Sequence, residues 1–231
     1  MGSPTSLDYY RQQSCFSDSD KLVDLFKDLP DDLSELCRIV RGIYVHYRAK
    51  NLPATVHERL KEADSRYLSR ILDRIVTLDN SDLVVARPPE RRFIGCCRDA
   101  SLLLCSMLRH KGIPTRIRVG FATYIPAEAP FSYTDHVITE YWNTDSGRWQ
   151  MVDSEQDETL INQNRIDFDV HDIPQDKFVA GGRAWLMGRE NARLWEAFGI
   201  NDFVKGRWFV AGYLIRDFAA LNRDEVLLWD S

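Results

Sequence analysis

At 231 residues the chain is long enough to bury a sizeable core, and 44% hydrophobic with 28% charged residues is the balance of an ordinary soluble globular protein. A formal net charge of −5 gives no support for nucleic-acid binding as the main task, and no apolar run approaches the length of a membrane span. The five cysteines are an odd number with no secretory pattern before them, and Met1 to Asp8 has neither a basic nor an apolar segment. Reduced thiols in the cytoplasm are the expectation.

The first third reads as helical. A short helix is expected around Lys21 to Phe26. Leu33, Leu36, Cys37, Val40, Ile43, Tyr44 and Tyr47 recur at three- and four-residue spacing and predict one helix, opened at Pro30-Asp31-Asp32 and ended at Asn51-Leu52-Pro53. A second stripe runs through Leu60, Ala63, Tyr67, Leu68, Ile71, Leu72 and Ile75. Asp79-Asn80-Ser81 breaks it, and Arg87-Pro88-Pro89-Glu90 reads as an extended connector. The apolar run from Ala100 to Leu108 predicts a helix over 97–110, closed by Lys111 and Gly112. Thr115 to Phe121 alternates as a half-buried strand does. A loop over 126–131 leads to a second strand, His136 to Asn143. Asp145-Ser146-Gly147 is a hairpin turn, and Arg148 to Val152 is the returning strand. Beyond Asp157 the pattern weakens: 160–172 is polar, Arg183 to Arg189 reads as a helix, and the terminus is rich in aromatics.

Three blocks carry chemistry. Gly95-Cys96-Cys97-Arg98-Asp99-Ala100 puts a thiol at a helix N-terminus, where unpaired amides and the positive end of the macrodipole favour the thiolate. His136 follows 39 positions after Cys97, in Asp135-His136-Val137-Ile138-Thr139-Glu140. Asp153 follows 17 positions later, at the end of Arg148-Trp149-Gln150-Met151-Val152-Asp153. A hairpin brings its two ends together, so His136 and Asp153 are expected as neighbours with the cysteine helix aimed at them. Cysteine, histidine and aspartate on separate elements are the parts of a thiol acyl-transfer triad.

These blocks, with Gly112-Ile113-Pro114-Thr115-Arg116 and Val119-Gly120-Phe121 between them, resemble the transglutaminase-like superfamily of papain-like cysteine enzymes over roughly 93–157. Ala100 sits one place earlier than in the commonest form of the motif, and registering on Gly-x-Cys-Arg-Asp makes Cys97 the nucleophile, with Cys96 the alternative. The resemblance implies an α+β fold with a nucleophile helix packed on an antiparallel sheet. It implies one domain over 1–231: a helical part to 86, a catalytic core over 87–157 and a C-terminal elaboration over 158–231. It further implies acyl transfer or hydrolysis at an amide or ester carbonyl of a peptide, protein or small substrate, through a thioester.

No cofactor or metal is called for: the cysteines lack Cys-x-x-Cys spacing, and no calcium-loop pattern is visible. Trp142, Trp185, Arg183 and Trp208 are candidate substrate contacts, the tryptophans doubling as core residues. The arginines and lysine between Arg87 and Arg118 read either as a solvated face or as a positive field on the thiolate. Glu140 is expected to pair with Arg116 or Arg118, His110 to cap its helix, and Cys37 to be buried and inert. Two other functions stay open: a binding scaffold on the same fold, and a redox pair at Cys96 and Cys97.

Overall fold

The computed structural model describes residues 6–49, 52–126 and 131–230. The outermost termini, the expected helix end at Asn51 and most of the expected loop over 126–131 lie outside them.

Helix α1 (Ser6–Arg11) and a 3-10 turn (Asp20–Phe26) precede α2 (Leu33–Ile43). Asp32 caps α2 by accepting from the Glu35 N–H at 2.9 Å. Here the sequence reading overshoots. The expected helix does not continue through Tyr47, because Tyr44–His46 turns into strand β1. Its partner is β2 (Phe93–Gly95), in parallel register Tyr44 to Phe93, Val45 to Ile94 and His46 to Gly95. A β-branched and aromatic run that also fits a helical stripe is decided by this pairing, which periodicity does not see. The second stripe splits likewise, into short α3 (Ala54–His57), a 3-10 turn (Leu60–Asp64) and α4 (Leu68–Leu78). The Pro88-Pro89 connector forms a 3-10 turn over Pro89–Arg91.

Helix α5 (Cys97–His110) has the expected bounds. Gly112 closes it at φ +74°, the left-handed conformation of a helix C-cap. Strands β3 (Thr115–Ala122), β4 (Thr134–Asn143) and β5 (Arg148–Val152) follow, then α6 (Glu158–Asn164), β6 (Phe178–Ala180) and α7 (Gly181–Glu190). A two-stranded ribbon, β7 (Gly199–Asn201) with β8 (Val204–Lys205), leads into α8 (Gly206–Leu221), which the sequence reading did not single out. The main sheet is antiparallel in the order β5-β4-β3-β6.

The fold is α+β, with α5 packed on β3 and β4. One apolar core joins Leu36, Ile43 and Ile71 of the first helices to Leu103 and Met107 of α5, Phe121 and Val137 of the sheet, and Phe209 and Tyr213 of α8. Phe121 meets Phe198, Phe209 and Tyr213 at ring separations of 4.8, 5.7 and 4.7 Å, which holds α8 on the sheet. Arg118 of β3 reaches Asp217 of α8 through two hydrogen bonds of 2.9 and 3.0 Å. Among the described residues no helix is long and apolar enough to cross a membrane.

The basic run from Arg87 to Arg118 is for the most part neither a solvated face nor an open field, Arg91 being its exposed member. Arg87, Arg98 and Arg109 are buried and Arg116 and Arg118 half-buried. Arg98 donates to the backbone of Arg66 and Glu225 and to Asp99, while Arg109 pairs with Glu225 at 2.9 Å. Arg116 and Arg118 share Glu140, as expected, at 2.5 and 3.3 Å. These charges are spent on internal partners.

Candidate active site

Asp99 sets the helix start. Its Oδ2 accepts the Cys96 N–H at 2.8 Å and its Oδ1 accepts from Arg98 at 2.9 Å. A Cβ on Gly95 would lie 2.6 Å from Asp99 Oδ2, so only glycine lets the chain pass that carboxylate. The Gly-x-Cys-Arg-Asp spacing is thus a device for opening α5 at Cys97, with Arg98 and Asp99 buried as its anchor.

His136 lies near the start of β4 and Asp153 just past the end of β5. The antiparallel register (Thr139 to Val152) brings both to the same edge. Asp153 Oδ2 lies 2.8 Å from His136 Nε2. The same carboxylate accepts from the Tyr124 hydroxyl at 2.9 Å, the Gln156 amide at 3.1 Å and the Glu155 N–H at 3.0 Å. Burial alone raises the Asp153 pKa, but the His136 charge and these donors overturn it, and the group sits below the usual carboxylate range. Burial pulls His136 down, and the charges of Asp153, Glu155 and Asp135 carry its pKa above the ordinary value. Asp153 is thus an ionised acceptor that orients His136 and stabilises its protonated form.

The other ring nitrogen, Nδ1, faces Glu155 Oε2 at 3.9 Å. Glu155 accepts from the Tyr44 hydroxyl at 2.6 Å, and burial pushes its pKa to about 7 against the pull of His136. A Glu155 oxygen, Cys97 Sγ and a ring nitrogen of His46 lie within 4.8 Å of one another. A second trio of donor atoms, from His136, Asp153 and Glu155, obeys the same limit. Cys97, 5% exposed, is not a resting thiolate. A hydrogen bond to the Cys96 sulfur, then burial, then the charges of Cys96, Glu155 and Asp135 raise its pKa. The expected thiolate preference of the helix N-terminus is therefore outweighed in this geometry.

The expected substrate contacts lie elsewhere. Trp142 stands toward the far end of β4 and packs edge-on against Trp149 at 5.9 Å. Trp185 packs against Trp195 at 5.2 Å. Trp185 and Trp208 share an open pocket of about 700 Å³ with Phe203 and Arg207. Arg183, largely exposed, is 4.0 Å from Glu190 and borders a second pocket with Arg118 and Glu140. Neither pocket is lined by Cys97, His136 or Asp153. Cys37 is fully buried with its pKa pushed up to about 12, as an inert thiol should be. His110 is exposed and meets the Phe26 ring at 5.4 Å. Sequence reasoning missed Tyr44, His46, Tyr124, Glu155 and Gln156. The last two sit close after Asp153, and only that adjacency signals them.

A cysteine-headed helix packed on an antiparallel sheet that carries a histidine–aspartate pair defines a papain-like α+β fold. Within that class, residues 78–154 match the family model of the transglutaminase-like superfamily. A solved structure of a candidate cysteine protease from Cytophaga hutchinsonii is similar at 18% identity with a TM-score of 0.38, the match covering 67% of this chain and 43% of that one. The chain thus spans less than half of that protein's length. No curated protein matches significantly.

Proposed function

We propose that the protein is a thiol-dependent acyl-transfer enzyme acting at an amide or ester carbonyl, with Cys97 as nucleophile, His136 as general base then acid, and Asp153 as the group that orients and charges His136. One observation carries the reading: Asp153 engages His136 Nε2 at 2.8 Å, and Glu155, which lies 3.9 Å from His136 Nδ1, also brings a carboxyl oxygen within 4.8 Å of Cys97 Sγ. Because the resting thiol is protonated, its proton leaves as the sulfur attacks. The S–H proton passes to Nδ1 while the S–C bond forms, and the imidazolium returns it to the departing amine or alcohol. Water or an amine then attacks the thioester. Hydrolysis of amides or peptides is the reading we favour over amine transfer. The core shared by the helical part, the sheet and α8 supports treating the chain as one domain.

The raised thiol pKa favours one competitor, a scaffold that keeps the fold without the chemistry. Acylation by p-nitrophenyl acetate separates the two. The enzyme gives a burst of p-nitrophenolate, an acetyl group on Cys97 found by mass spectrometry, no burst in Cys97→Ala, and a loss of at least about 10²-fold in His136→Ala. Acetylation of Cys97 no faster than that of Cys15, and indifferent to His136, would overturn the reading.

A further inference from the structure

His46 belongs to no motif, yet the parallel pairing of β1 with β2 sets it opposite Gly95, two residues before the nucleophile. Alternate residues of a strand share a face. Tyr44 and His46 accordingly face the same way: the Tyr44 hydroxyl reaches Glu155, and a His46 ring nitrogen lies within 4.8 Å of Cys97 Sγ and of Glu155. The ring is stacked on Tyr47, at 4.8 Å between centroids and 20° between planes, which fixes its orientation.

Its protonation is fixed as well. Nδ1 accepts the Arg48 N–H at 3.0 Å, and a ring nitrogen that accepts carries no proton. Burial, with the charges of Arg48 and His136, lowers the pKa to about 4, so the ring is neutral at physiological pH. The single proton of a neutral imidazole is therefore on Nε2. This argues against the other use of the same cluster. A metal ion held at Nε2 needs the lone pair there and a proton on Nδ1, and that proton would point at the Arg48 N–H. A ring whose donor is Nε2, with one of its nitrogens within 4.8 Å of the nucleophilic sulfur, suits the negative oxygen that develops when the sulfur adds to a carbonyl.

We propose that His46 is a catalytic residue whose Nε2–H donates to the oxyanion of the tetrahedral intermediate formed at Cys97. It acts together with the Cys97 backbone N–H, which as the first amide of α5 has no intrahelical acceptor. The inference rests on the thioester reading, and its test keeps the two apart. Alkylation of Cys97 by iodoacetamide displaces iodide at a saturated carbon and forms no oxyanion. Acylation by p-nitrophenyl acetate forms one. His46→Phe keeps a flat ring for the Tyr47 stack and removes the donor. His46→Gln restores an N–H of similar reach.

The expected result is selective. His46→Phe slows acylation about 10²-fold, the scale of losing one oxyanion donor, and leaves alkylation of Cys97 within about twofold. His46→Gln recovers at least about tenfold of the loss, because one hydrogen bond to a charged group is worth that much or more. Parallel loss of both reactions would make His46 structural, and unchanged acylation would make it idle; either overturns the proposal. Absence of a burst in the wild-type protein overturns the thioester reading and this inference with it. A wild-type burst that His46→Phe leaves intact overturns this inference alone. Nitrogen-15 NMR of the wild-type imidazoles gives a check free of any variant: a proton found on His46 Nδ1 would contradict the assignment.

Discussion

The two walls of the candidate site are built on opposite principles. On the sheet wall, β4 and β5 present His136 against an ionised Asp153, with four donors on that one buried carboxylate. On the other wall, β1 and the start of α5 present His46, Tyr44 and Cys97, with His46 neutral and both the thiol and the phenol held protonated. The difference teaches where activation energy is stored. The sheet wall is preorganised and its groups have little freedom to relax. The helix wall carries no net charge until substrate arrives, and Arg98, Arg109, Arg116 and Arg118 lend the thiol no open field because each is paired with an internal carboxylate. In the proposed reaction, charge appears on the helix wall only in the reacting state, when a neutral donor and a helix amide are in place to receive it.

The hardest way to break this contrast is Asp153→Asn. The variant keeps the shape but removes the anion that charges His136 and chooses its tautomer. Acylation of Cys97 should fall about 10³- to 10⁴-fold, as when the carboxylate of a triad is neutralised. A fall of less than tenfold in the burst rate would mean that the sheet wall is not the base.

Glu155 lies between the walls, and its replacement sharpens the comparison through stability. Its pKa in the fold, about 7, lies above the usual value of 4.5. The folded state therefore binds more protons than the unfolded state across that interval, and stability contributed by the neutral carboxyl is full below 4.5 and lost as pH rises through 7. By pH 8 the cost is roughly 3 kcal/mol, at 1.36 kcal/mol per unit. Glu155→Gln keeps an acceptor for the Tyr44 hydroxyl and removes the titration. Urea unfolding should show the variant more stable than wild type at pH 8 by up to that amount and close to it at pH 5. An equal difference at both pH values would show that Glu155 does not titrate in this range.

Tyr124→Phe removes one of the donors to Asp153 and nothing else. A hydrogen bond to a charged group contributes about 1.5–3 kcal/mol. The Asp153 pKa should rise, the more basic carboxylate should raise the His136 pKa as well, and acylation should slow about tenfold. The acid limb of its pH profile should move up with His136. A rate loss with no movement of that limb would assign Tyr124 to packing instead.

The same two walls differ in how far the sequence reveals them. Helix α5 and strands β3, β4 and β5 announce themselves by caps, alternation and a turn, and the pairing of His136 with Asp153 follows from hairpin geometry alone. Strand β1 does not. Ile43, Tyr44 and Tyr47 continue the stripe of α2, and the force that extends the chain at Tyr44 is pairing with residues 93–95, far away in sequence. Misreading that turn concealed Tyr44 and His46 together, since a helix would have placed them on different faces. Tyr124 was hidden for another reason. It lies beyond the last residue of β3, where neither period applies, and its hydrogen bond to Asp153 spans 29 positions. Helix α8, buried in part and exposed in part along most of its length, lacks the one-sided stripe that identifies a helix in sequence.

The smallest expected effect settles the register on the helix wall. Cys96 and Cys97 are adjacent and both buried, but only Cys97 heads α5 with its sulfur near Glu155 and His46. Cys96 acts on its neighbour through the hydrogen bond that stabilises the protonated Cys97 thiol. In Cys96→Ala that bond is gone, the Cys97 pKa falls, and more thiolate is present at a given pH below it. Each unit recovered raises the thiolate fraction about tenfold, partly offset because a less basic sulfur is a weaker nucleophile. Iodoacetamide should therefore label Cys97 of the variant several-fold faster at neutral pH, by roughly half of each tenfold step on a logarithmic scale. If Cys96 were the nucleophile, the same substitution would abolish both labelling in the cleft and the acylation burst. A faster Cys97 and a silent protein are opposite results, and peptide mapping of the labelled site distinguishes them in one experiment.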